Sequence, residues 1–186
     1  MRKHTKRIFY LLLTFLLSFN VTVFASDNGP EDFEDDNTNT TVDFSEPSDT
    51  SMDDTVWTRE YDDGTEEVVT EEDLNPNPLL RWAAISGVTM DLDFKLGGKA
   101  VFVTGVTTKS TSYSIKIVTK LQSYRSGTWK TLYTKTKTSS HTGTTNSGSY
   151  YVTKGYKYRT RNTITIYNSS GKVIETDTLN CTRTYN

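Results

Sequence analysis

From Ile85 onward, apolar residues alternate with polar ones instead of recurring every three or four positions, which is the two-residue period of half-buried strands. Bounded by Gly-, Ser- and Asn-rich turns, this alternation predicts strands near Ile85–Phe94, Lys99–Thr107, Ser112–Tyr124, Trp129–Thr138, Ser149–Thr153, Tyr156–Tyr167 and Lys172–Thr184. In the third of these, Tyr113, Ile115, Ile117, Thr119 and Leu121 share one face, while Lys116, Val118, Lys120 and Gln122 share the other. The first face is expected in a core and the second in solvent. Seven strands with no helical segment between them predict an all-β protein, a single antiparallel sandwich over residues 80–186.

Two turns carry register information. Tyr167-Asn168-Ser169-Ser170-Gly171-Lys172 suits a type I turn closed by Gly171 in the left-handed region, a three-residue hairpin loop with a bulge. That register pairs Ile166 with Ile174 and Ile164 with Thr176 on the inner face, and Thr163 with Asp177 on the outer. The second turn lies within Val152-Thr153-Lys154-Gly155-Tyr156-Lys157-Tyr158-Arg159-Thr160-Arg161. An apolar residue, a turn residue with Gly, and Tyr leading an alternating strand resemble the signature of fibronectin type III and immunoglobulin-like domains. The resemblance implies that Tyr158 is the structural tyrosine of a tyrosine corner, with its ring in the core and its hydroxyl bonded to backbone. Gly105, the Ser123-to-Trp129 hairpin and the Tyr158 strand also resemble a group of small secreted Gram-positive bacterial proteins. The resemblance covers about residues 83–186 and is silent on chemistry.

The amino terminus has a different pattern. Arg2, Lys3, Lys6 and Arg7 precede the apolar run Ile8 to Phe24, and Val23-Phe24-Ala25 puts small side chains where a signal peptidase cuts. Residues 1–25 therefore read as a signal peptide, and the mature product as secreted, extracellular or loosely cell-wall associated. The competing reading, an uncleaved anchor, has an apolar stretch barely long enough to span a bilayer and interrupted by Asn20. No stable membrane span is expected after cleavage.

Charge divides the remainder. Ser26 to Pro78 holds 19 Asp or Glu against the single Arg59, with apolar residues scattered singly, so residues 26–79 read as a disordered acidic linker or pro-region. Leu79 to Asn186 holds 16 Lys or Arg against Asp91, Asp93, Glu175 and Asp177. The whole-chain net charge of −2 conceals this split. Either the acidic segment folds back over the basic body and screens it, or it is a solubilising spacer.

Candidate chemistry is sparse. After the signal peptide only His141 remains, in the Gly/Ser/Thr-rich stretch 138–148, which is poorly suited to holding an imidazole in a triad. Asp91 and Asp93 are spaced to share a strand face but have no further oxygen ligands in a recognisable loop. Cys181 is the single cysteine and is expected as a small half-buried strand residue without a plausible base. No enzyme, metal or cofactor is expected.

The most informative constellation is basic. Lys157, Arg159 and Arg161 alternate along one strand and point outward if Tyr158 points inward, and Lys116 and Lys120 project the same way from the third strand. These five form a candidate polyanion-binding face suited to an anionic cell-wall polymer, a glycan or another extracellular protein. Cations on exposed strand faces also keep sheets from pairing with neighbours, which needs no ligand. The reading that follows is a secreted non-enzymatic binding module. The alternative is a secreted effector or antimicrobial protein with an acidic neutralising pro-region.

Overall fold

Strands whose alternate residues are apolar cannot satisfy those residues singly, so they stack their apolar faces against one another. The computed structural model describes residues 55–75 and 82–186. The expected signal peptide, 1–25, and residues 26–54 of the acidic segment lie outside the described residues.

Among the described residues the chain runs β1 (Val56–Glu60), β2 (Glu66–Val69), a four-residue helix α1 (Glu71–Leu74), β3 (Ile85–Lys95), β4 (Lys99–Thr108), β5 (Ser114–Arg125), β6 (Thr128–Ser139), β7 (Gly143–Tyr151), β8 (Tyr156–Tyr167) and β9 (Val173–Tyr185). They build two antiparallel sheets, one of six strands in the order β2-β1-β9-β8-β5-β6 and one of three in the order β3-β4-β7. The architecture is all-β and compatible with a β-sandwich. Leu92, Phe94, Phe102 and Val106 of the smaller sheet share a core with Ile115, Ile117, Leu121, Ile164, Ile166 and Leu179 of the larger. Each fully buried side chain of this size contributes about 1.5–3 kcal/mol of transfer free energy.

Three expectations are corrected. First, the strand count is nine and not seven, because residues 55–75, expected within the disordered linker, form β1, β2 and α1. β1 pairs with β9 from Val56↔Thr182 to Glu60↔Thr178, and Val69 and Leu74 are buried in the core with Trp57 packed partly against it. Taken alone this segment has too few apolar residues to offset its ordering entropy. Docked on an existing sheet edge, it needs to bury only three. A body starting at residue 80 would lack those strands and their core residues.

Second, the strand expected at Ser149–Thr153 is β7, which begins at Gly143. Its small side chains suit a crowded position. A Cβ placed on Gly148 would lie 2.6 Å from Phe102 Cζ, and Asn146 is buried, donating to Thr119 Oγ1 at 3.0 Å.

Third, the β8–β9 register slips. Tyr167 pairs with Val173 at the turn, as the hairpin loop requires, but beyond it a bulge shifts the ladder to Ile166↔Glu175, Ile164↔Asp177 and Thr163↔Thr178. One extra residue on β9 exchanges its faces. Glu175 and Asp177 thereby leave the outer face. Glu175 accepts from the backbone N–H groups of Ala83, Ala84 and Ile85 at 2.7–3.1 Å, and Asp177 accepts from Trp82 Nε1 at 2.5 Å and pairs with Arg59 at 3.1 Å.

Candidate functional site

The outer face of the six-stranded sheet follows from the ladder register. Arg159 lies beside Gln122 and Thr182, Arg161 beside Lys120 and Asn180, and Lys116 beside Thr165. Gln122 and Lys120 in turn adjoin Thr131 and Thr134 of β6, and Tyr124 adjoins Trp129. Lys157 pairs with Thr184 and stands one step beyond the last β5–β8 pair, at the Tyr124 end of the face. The register thus brings all five cations anticipated from the sequence onto one sheet face.

They are not equally open. The β1–β2 hairpin brings two carboxylates onto the centre of the face. Arg161 grips Glu60 with two bonds, Nε to Oε2 at 2.8 Å and Nη2 to Oε1 at 2.7 Å. Arg159 donates from Nη1 to Glu66 Oε1 at 2.7 Å and from Nε to Gln122 Oε1 at 2.8 Å, with its guanidinium carbon 4.3 Å from the Trp129 ring centroid. Thr58 hydrogen-bonds Glu66 Oε2 at 3.0 Å, and Asn180 donates to Thr58 at 3.2 Å. Arg159, Gln122 and Asn180 are consequently buried although they belong to an outer face. The hydrogen bond from Arg161 holds the Glu60 carboxyl below its ordinary range, against burial, which acts the other way. Lys157 is exposed and Lys116 and Lys120 are half-buried, and none of the three has an ion-pair partner among the described residues.

Tyr158 stands on the opposite side of β8. It is fully buried, tilted against Phe94 at 5.5 Å between centroids, and its hydroxyl donates to Thr153 O at 2.7 Å while accepting from Thr153 N at 3.1 Å.

The other reactive side chains are dispersed or engaged. His141 sits in the exposed β6–β7 turn with Ser139 Oγ 3.2 Å from Nδ1. Asp93 is buried, 2.8 Å from Lys95 Nζ and 3.1 Å from Arg183 Nη1, which also donates to the Leu92 carbonyl at 2.9 Å. Burial pushes the Asp91 carboxyl up, and its oxygen accepts from Leu92 N at 2.8 Å. Cys181, expected to be half-buried, is fully buried, and burial pushes its thiol up to about 12. Among the described residues no group of three or more His, Cys, Asp or Glu side chains could hold a metal ion.

Reading the sequence alone places Tyr124 near the edge of the basic face but misses Glu60, Glu66 and Trp129 as partners of it. A signal for the carboxylates exists: Val56-Trp57-Thr58-Arg59-Glu60 and Glu66-Glu67-Val68-Val69 flank the turn sequence Asp62-Asp63-Gly64, a hairpin pattern inside an otherwise acidic stretch. Comparison with protein-family models, with curated proteins and with solved structures returned no match.

Proposed function

We propose that the chain is a secreted, non-enzymatic binding module that uses the outer face of its larger sheet to hold anionic polymers of the cell envelope or an extracellular partner. One observation carries this reading. Arg159 and Arg161 already receive carboxylates at 2.7–2.8 Å, while Lys116, Lys120 and Lys157 flank them without acidic partners among the described residues. A face that orders carboxylates from its own chain has the donors and charge to order those of a ligand. The hairpin lowers the positive charge at its centre and leaves the flanks open.

The immunoglobulin or fibronectin III reading of the body is part of the proposal. Strands β3 to β9 in the orders β3-β4-β7 and β9-β8-β5-β6 support it, as do the backbone bonds of Tyr158 to a residue five positions upstream. The β1–β2 hairpin is then an addition to the β9 edge.

The test is sedimentation of the chain with isolated cell walls. Binding is expected to fall as salt rises from about 50 to about 300 mM, because the Debye length shrinks below the spacing of these charges. The combined Lys116→Ala, Lys120→Ala and Lys157→Ala variant is expected to lose most of it. Undiminished binding by that variant at low salt would refute the reading.

A further inference from the structure

The hairpin leaves one end of the basic face uncovered, and that end differs in chemistry from the rest. Lys157, Tyr124 and Trp129 cross it from β8 to β6. Tyr124 is 43 % exposed, and its ring lies 5.1 Å from that of Trp129, tilted by 59°. Trp129 in turn supports the Arg159 guanidinium. Arg159 uses Nε on Gln122 and Nη1 on Glu66, and its Nη2 has no protein partner among the described residues. Glu66 is 39 % exposed in its side chain and contributes a single oxygen to the arginine.

We infer that this end is a subsite for an acidic saccharide unit, with the apolar face of a sugar ring on Tyr124, its acid group on Lys157 and Arg159, and Glu66 standing where that acid would sit. The subsite rests on the reading of the face as an anion receptor and adds the ligand class. Two features favour a sugar acid over a nucleic acid. Beyond the aromatic end the face is lined with hydroxyls, Thr131, Thr134, Thr136 and Thr138 on β6 and Thr163 and Thr165 on β8, which match a polyhydroxylated chain. A single open ring next to a tilted one also provides no run of parallel faces for successive bases.

The experiment titrates the intact chain with hexagalacturonate, inorganic polyphosphate and an oligothymidylate, following tryptophan fluorescence and heat. Hexagalacturonate is expected to bind more tightly than the other two. Tyr124→Ala is expected to weaken hexagalacturonate about tenfold or more, Tyr124→Phe less than about threefold, and polyphosphate is expected to be unmoved by either. The exposure of Tyr124 makes it a substitution the fold tolerates, checked by an unchanged unfolding midpoint. Equal hexagalacturonate affinity in wild type and Tyr124→Ala overturns the subsite, as does preference for the oligothymidylate. Either result leaves the anion-receptor reading standing if the triple lysine variant still loses polyphosphate. A triple lysine variant that binds every probe like wild type overturns both.

Discussion

Arg159 on β8 and Glu66 on β2 stand 93 positions apart in the chain and meet at 2.7 Å, with the guanidinium lying over Trp129. The contact joins the basic and acidic halves of the sequence into one sheet face. Arg159→Ala removes the ion pair, the bond to Gln122 and the ring contact together. It is expected to lower stability by about 1–3 kcal/mol in urea unfolding, less than a fully buried pair would cost because Glu66 is partly solvated. Glu66→Gln should cost under about 1 kcal/mol. Amide exchange in β1 and β2 should accelerate in both variants, and unchanged exchange would show that the hairpin is held by its inner face alone.

Acid should loosen the same hairpin through Glu60. Its carboxyl is held low in the folded chain by the hydrogen bond from Arg161. Its stabilising contribution is therefore present above the unfolded pKa and lost as pH falls through the folded one. Asp177 has the opposite sign, since burial pushes its carboxyl up; its contribution is present below the unfolded pKa and lost as pH rises through the folded one. The stability advantage of wild type over Glu60→Gln, measured at about pH 6, should accordingly narrow below about pH 4. A constant gap across that range would contradict the pairing.

Tyr158→Phe keeps the ring packed against Phe94 and deletes only the hydroxyl, leaving Thr153 N and O without their partner. The expected loss is about 1–3 kcal/mol, read from the urea midpoint with an unchanged denaturant slope. A loss below about 0.5 kcal/mol would mean that water replaces the hydroxyl at no cost.

Cys181 should be unreactive while the chain is folded. The thiol is fully buried and burial pushes it up to about 12, so at neutral pH almost none is thiolate. A chromogenic disulfide reagent is expected to modify it only at the rate of unfolding, with a burst of colour on adding denaturant. Rapid modification of the native chain would show that β9 opens locally.

Much of the larger body was legible because alternation states directly which side of a strand is wet. Ile115, Ile117 and Leu121 are buried, and Lys116 and Lys120 lie on the other face of β5. The first part of β7, from Gly143 to Gly148, was hidden because its inward positions are Asn146 and Gly148, chosen for fit beneath Thr119 and Phe102 and not for hydrophobicity. Asp177 was assigned to the wrong face because a bulge at the end of a hairpin, invisible in composition, moves every later residue of β9 to the other side.

The amino-acid order by itself determined the strand period, the outward direction of the five cations and the separation of acidic from basic residues, because these depend on spacing along a single element. It took the assembled sheets to bring Val56–Glu60 and Glu66–Val69 onto the β9 edge and to set Glu60 and Glu66 on Arg161 and Arg159. Whether a polar segment orders depends on the edge and the charges another part of the chain offers it, and residues about a hundred positions apart become neighbours only once the sheets have formed.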